Sequence, residues 1–181
     1  GLLRPGGVTQ DIDKPLAAHL LGQLRGVRRD AVDAVNLLWE TPTVMARFEG
    51  TGVLTRDDAV AIGLVGPAAR ACGVARDVRS AFPYAGYDDA PIPIRIEETG
   101  DVLARARVRS REIVESLDYV GTHLLDLPDS PLFAEPDAAP EPDAMVVSMT
   151  EGWRGEIVHI AVTDGTGALS RYKIVDPSFH N

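Results

Sequence analysis

Apolar residues recur at helical spacing along residues 11–48. Leu16, Leu20 and Leu24 form one stripe, and Val32, Val35, Leu38 and Trp39 form a second. Gly26 and Val27 separate the two, Pro15 suits a first helical turn, and Asp30 is placed to cap the second helix, so this stretch predicts a helical hairpin. Residues 50–91 are broken by glycine and proline and predict only short elements. Among them are a strand-like run, Thr51-Gly52-Val53-Leu54, and the helix-start signal Thr55-Arg56-Asp57-Asp58, which predicts a helix of one or two turns over 57–62. Residues 99–127 carry the strongest pattern: Leu103, Ala106, Ser110, Ile113, Leu117, Val120 and Leu124 are spaced 3-4-3-4-3-4. Arg105, Arg107, Arg109 and Arg111 cluster towards the start of this helix, and Glu112, Glu115 and Asp118 towards its end. That order opposes the helix dipole, so these charges are expected to serve partners or buried pairs rather than the helix itself.

Residues 127–144 contain five prolines and five acidic residues and no basic residue, the composition of a solvated loop. Residues 145–150 and 155–162 read as strands, Asp164-Gly165-Thr166-Gly167 as a hairpin turn, and 168–175 as the return strand. The expectation is an α+β fold: a mainly helical, bundle-like core with a C-terminal β-hairpin. The parts are a helical region over 1–126, the proline-rich acidic loop over 127–144, and the hairpin region over 145–181, in one compact unit.

The chain has 181 residues and a net charge of −9, which excludes the cationic footprint of a nucleic-acid binder. The single cysteine, Cys72, excludes a disulfide framework and any multi-cysteine metal site within these residues, and a buried, inert thiol is expected. The longest apolar stretch, 59–69, is interrupted by Gly63, Gly66 and Pro67 and is too short to span a bilayer. No secretory signal pattern opens the sequence, so a cytoplasmic setting is the default. The chain opens without a methionine and stops directly after a strand-like segment, as a piece of a longer subunit would.

Most candidate chemistry is sparse. Gly50-Thr51-Gly52 lacks the lysine and helix of a phosphate loop, and His19, His123, His159 and His180 are dispersed, with no pair at metal-binding spacing. Two clusters stand out. Arg70, Arg76, Asp77, Arg79, Tyr84 and Tyr87 concentrate charge and hydroxyls in a turn-rich segment, where Asp77 and Arg79 can organise a loop by charge-assisted hydrogen bonds. Glu151-Gly152-Trp153-Arg154-Gly155-Glu156 places an arginine between two glycines at a strand junction. Such an arginine could recognise an anionic or carbonyl-bearing ligand, or pair with Glu151 or Glu156.

In order and spacing, several blocks resemble one family. They are Arg4-Pro5-Gly6-Gly7-Val8, Gly50-Thr51-Gly52-Val53-Leu54 and Arg70-Ala71-Cys72-Gly73-Val74; then Asp77-Val78-Arg79 with Pro83-Tyr84-Ala85-Gly86-Tyr87 and Gly100-Asp101; and last Arg154-Gly155-Glu156, Asp164-Gly165 and Asp176-Pro177-Ser178-Phe179. The chain resembles the 49 kDa subunit of respiratory complex I, an NADH dehydrogenase, and the large subunits of group 4 membrane-bound nickel–iron hydrogenases of the formate hydrogenlyase type. The resemblance implies a fragment of a hydrogenase-large-subunit-like fold, inactive alone, from an energy-converting oxidoreductase. It implies as partners an iron–sulfur small subunit and a membrane arm at the inner face of the cell membrane. The parent is expected to use a nickel–iron centre or a quinone, with NAD chemistry elsewhere in complexes of the first type.

The departures matter. The hydrogenases hold their metals with two cysteine pairs, of which Cys72 belongs to neither, and the histidine and tyrosine with which complex I members bind quinone lie on a segment this chain lacks. Hence no cofactor or metal is expected in these residues. Trp153 stands where many hydrogenases carry proline. By resemblance Arg154 faces the redox cavity, while Arg70, Asp77, Arg79, Tyr84, Tyr87 and Glu156 are structural or interface candidates. The alternative function is a non-catalytic scaffold bridging an iron–sulfur subunit to a membrane complex. Cut from its neighbours, the piece is expected to expose an apolar patch and to self-associate.

Overall fold

A computed structural model describes residues 2–128, 131–135, 139–179 and 181. His180 and two short parts of the proline-rich loop, 129–130 and 136–138, lie outside the described residues.

Two short strands, β1 (Leu3–Arg4) and β2 (Gly7–Val8), pair antiparallel, and the loop residue Phe133 bridges to Gly7. The long helix α1 (Lys14–Trp39) follows, capped by Asp13, whose Oδ1 accepts from the Leu16 N–H at 2.8 Å. α1 runs straight through Gly26, so the expected hairpin break is absent. A lone helical glycine costs only about 1 kcal/mol relative to alanine, which the surrounding helix formers and packing outweigh. Asp30 is accordingly a mid-helix surface residue paired with Arg29, not a cap. The chain breaks instead before Pro42, at the start of α2 (Pro42–Phe48), where a helix-interior proline would cost a hydrogen bond. Val32, Val35 and Trp39 are half-buried as expected, whereas Leu16 and Leu38 stay exposed.

The segment 51–54 is not a strand. Gly50 and Gly52 take left-handed backbone (φ 63° and 60°), and the loop docks on the next long helix through Leu54 N–H to Gly100 O (3.1 Å) and Val102 N–H to Thr51 O (3.0 Å). The predicted short helix is α3 (Arg56–Ala61), closed by a reciprocal cap in which the Asp58 N–H donates to Thr55 Oγ1 and the Thr55 hydroxyl to Asp58 Oδ2. Two further short helices follow, α4 (Gly66–Arg70) and α5 (Val78–Ala81), then a 3₁₀ turn at Ala85–Tyr87.

The second long helix, α6 (Val102–Leu125), is capped by Asp101, which accepts from the Ala104 and Gly50 N–H groups, each at 2.8 Å. Ser110, Ile113 and Leu117 of the predicted seam lie towards α1. The most deeply buried positions lie off that seam: Ala104 and Val108 pack on Ala71 beside α4. α6 therefore packs on two sides, and Val120 of the seam remains exposed. Its charges are all engaged in tertiary contacts: Arg111 with Glu97, Arg95 with Glu115, Arg28 with Asp118, and Arg105 with the Gly52 and Gly100 carbonyls.

The C-terminal part is an antiparallel meander ordered β3 (Met145–Gly152), β4 (Gly155–Thr163) and β5 (Leu169–Val175). The 164–167 turn is held by Asp164 Oδ1, which accepts from the Thr166 N–H at 2.8 Å and its hydroxyl at 2.6 Å. The expected hairpin is thus its second half, and β3 extends it to three strands. β3 packs on α5 and β4 on α4. Among the described residues no helix is long and apolar enough to cross a membrane.

Candidate functional site

Where α4, α5, α6 and β3 converge, a charged group lies under the sheet. Arg70, at the end of α4, has a side chain only 1% exposed. Its Nε donates to Glu112 Oε1 of α6 at 2.9 Å, and its Nη1 to Glu151 Oε1 of β3 at 2.9 Å and to the Arg76 carbonyl at 3.0 Å. Asp77 Oδ2 lies 3.3 Å from the same Nη1. Asp77 is also gripped by both arms of Arg79, Nε to Oδ1 at 2.9 Å and Nη2 to Oδ2 at 2.7 Å, and caps α5 through the Arg79 N–H at 3.0 Å. Glu151 uses its second oxygen to accept from the Val78 N–H at 3.2 Å, and its own N–H donates to the Tyr84 hydroxyl oxygen at 3.1 Å.

Burial would raise the Asp77 carboxyl, but the Arg79 hydrogen bond and the Arg70 and Arg79 charges outweigh it and hold it below the usual carboxylate range. Glu112 goes the other way: burial pushes it up, and Arg70 offsets this only in part. Burial also raises Cys72, a buried thiol that donates to the Ala68 carbonyl at 3.3 Å.

Above these charges opens a cleft of about 430 Å³, walled by Arg79, Tyr87, Glu112, Leu117, Gly152 and Trp153. The Gly152–Gly155 pairing leaves Trp153 and Arg154 as the two-residue turn between β3 and β4, of which Trp153 lines the cleft. Arg109 stacks over the Trp153 ring (4.7 Å) and donates to its carbonyl at 3.0 Å. The turn is pinned against α4. A Cβ on Gly66 (φ 64°) would lie 2.3 Å from Gly155 Cα, and one on Gly155 (φ 138°) would lie 2.9 Å from Gly66 N. Asn181 ties both sides, donating to Arg154 O at 2.6 Å and accepting from the Val65 N–H at 3.2 Å.

The fold therefore unites Arg70, Asp77, Arg79 and Tyr84, and sets Tyr87 between Tyr84 and Tyr119 (ring centroids 5.1 and 5.2 Å). Glu156 stands apart, paired with Arg76 at 2.7 Å. Arg154 is exposed and pairs with neither Glu151 nor Glu156, both of which are taken by other arginines. Glu112 and Glu151 are the members of the group that sequence reasoning did not assign to it. A signal existed for Glu112: it follows Ala104 and Val108 at intervals of four, so it extends the buried row of α6. Among the described residues no group of three or more histidine, cysteine or acidic side chains is arranged to hold a metal ion, and the three carboxylates around Arg70 are taken up by arginines.

Comparison with known proteins gives a consistent result. The profile of the respiratory-chain NADH dehydrogenase 49 Kd subunit family matches residues 1–143. The chain is 38% identical to the carbon monoxide-induced hydrogenase of Rhodospirillum rubrum over 97% of its own length and 49% of the relative's. It is 35% identical to an NADH-quinone oxidoreductase subunit of Syntrophobacter fumaroxidans (98% of this chain, 48% of the relative). With formate hydrogenlyase subunit 5 of Escherichia coli the identity is 30% (100% of this chain, 32% of the relative). A chain in the structure of the membrane-bound sulfane sulfur reductase, an archaeal respiratory membrane complex, superposes with a TM-score of 0.85 at 31% identity, over 96% of this chain and 49% of that one. The chain spans about half the length of the first two curated relatives, and a third of the formate hydrogenlyase relative.

Proposed function

We propose that this chain, which belongs to the family of the respiratory-chain NADH dehydrogenase 49 kDa subunit, forms part of the large subunit of a membrane-associated, energy-converting oxidoreductase. The observation that carries this reading is the similarity to a hydrogenase and to quinone oxidoreductase subunits over almost the whole chain. In this reading a nickel–iron centre or a bound quinone would be held by the remainder of the subunit and would supply the electron-transfer chemistry there. The partners are an iron–sulfur subunit and a membrane arm, and the subunit sits peripherally on the cytoplasmic face.

This chain's own part is a charged wall. Arg70, Asp77, Arg79 and Glu151 join α4, α5 and β3 into one rigid block, and Gly66 and Gly155 press the β3–β4 turn against it. Arg154 then projects from a fixed turn, free of any ion pair among the described residues. A guanidinium stays charged and presents its donors in a planar fork, which suits a site where negative charge develops. We therefore assign Arg154 to the redox cavity.

Affinity purification of the tagged whole subunit from detergent-solubilised membranes tests the assignment. It is expected to bring down an iron–sulfur protein and integral membrane subunits in stoichiometric amounts. Recovery of the subunit alone from the soluble fraction would contradict it.

A further inference from the structure

The buried charges do not balance: two guanidiniums, Arg70 and Arg79, face three carboxylates, Asp77, Glu112 and Glu151. The three are not equivalent. Asp77 accepts from both arms of Arg79, and Glu151 uses one oxygen for Arg70 and the other for the Val78 N–H. Glu112 receives only the Arg70 Nε, on Oε1, and among the described residues no hydrogen bond reaches its Oε2. It is also the most accessible of the three, with its side chain 15% exposed against 2% and 5%, and it lines the cleft.

We propose that Glu112 is the proton-binding group of this cleft: its carboxylate takes one proton from solvent at Oε2 when negative charge enters the cleft, and returns it when that charge leaves. The only bond made and broken is O–H. Protonation leaves Oε1 free to keep accepting from Arg70, and it brings the group of five charges to neutrality. Its neighbours are Arg70 from α4, Asp77 and Arg79 from the start of α5, Glu151 from β3, Arg109 on α6 itself, and the Tyr84 and Tyr87 phenols. Of these, Arg70, Arg79 and the more exposed Arg109 oppose protonation and Asp77 favours it, while burial, the largest influence, favours the neutral form. The inference rests on the reading that this cleft opens to the parent's redox cavity.

Carbon-13 NMR of the full chain, labelled at the glutamate carboxyls, reads the titration directly. The Glu112 resonance is identified by its loss in Glu112→Gln, which keeps an acceptor for Arg70. Its midpoint is expected above the ordinary glutamate value of about 4.3, and higher again in Arg109→Gln, which withdraws a neighbouring positive charge. A midpoint at or below the ordinary value overturns the proposal, and so does a midpoint that ignores Arg109→Gln. In the intact parent complex, Glu112→Gln is expected to flatten the pH dependence of turnover while assembly persists. A raised midpoint in the chain with an unchanged pH–turnover profile would overturn instead the reading that the cleft serves the redox reaction.

Discussion

Replacing Arg70 with methionine keeps much of the side chain's length but withdraws the cation shared by three carboxylates. Asp77 retains Arg79 and Glu151 retains the Val78 N–H, but Glu112 loses its only donor among the described residues. The Arg76 carbonyl also loses the guanidinium. Removing one partner of a buried ion pair typically costs ~3–5 kcal/mol, because the charge left behind is neither solvated nor paired. With Arg70 only 1% exposed, the loss should fall in that range. A urea slope of ~2 kcal/mol per molar turns this into a midpoint lowered by about 2 M, readable from the fluorescence of Trp39 and Trp153. Arg28→Met supplies the internal comparison. It breaks the Arg28–Asp118 pair at 3.0 Å, whose side chains are 47% and 58% exposed, and an exposed pair is worth ~0–1 kcal/mol. Combining Arg70→Met with Glu112→Gln should recover part of the loss, since the two groups touch. If Arg70→Met costs no more than Arg28→Met, the buried charges are not what holds α4, α6 and β3 together.

Gly155→Ala should be far more damaging than its size suggests, because the new Cβ would meet the Gly66 backbone at 2.9 Å and φ is 138°. We expect at least ~1–2 kcal/mol of destabilisation, whereas Gly22→Ala, in open helical surface, should be neutral or stabilising; equal urea midpoints for the two would contradict the close approach. Asp77 sets an acid limb. Its carboxyl titrates lower folded than unfolded, so its contribution is present above the unfolded value near 4 and is lost as pH falls through the lowered folded value. The slope of stability against pH between about 5 and 2 should therefore be shallower in Asp77→Asn, and an unchanged slope would refute the assignment.

How far these features could be read ahead depended on whether local chemistry or tertiary packing decides them. The Thr55 cap, the acidic turn at Asp164 and the C-terminal strands are set by neighbouring residues, and they appear where the pattern puts them. Asp77 and Arg79 are two apart and meet as expected. Gly26 was misleading because helix continuity there depends on the packing of α1 against α6, which no local window contains. The core of α6 was displaced from its apparent seam for a related reason: Ala104 and Val108 are small residues, and their burial reflects the approach of α4 rather than their own hydrophobicity. The partners of Arg70 at positions 112 and 151 are 42 and 81 residues away, beyond the reach of spacing rules. For Arg154, sequence offered two neighbouring carboxylates, and the fold commits both elsewhere: Glu151 to Arg70 and Glu156 to Arg76.

That freedom makes Arg154→Lys in the intact parent complex the decisive substitution. Lysine preserves the charge at the β3–β4 turn and removes the planar fork, while the backbone contacts through Asn181 and Gly66 need no arginine side chain. Turnover is measured alongside subunit composition and redox-cofactor content. If Arg154 serves the redox cavity, turnover falls at least tenfold, equivalent to about 1.4 kcal/mol of barrier, with composition and cofactor content unchanged. Turnover equal to that of the unaltered complex would contradict the assignment.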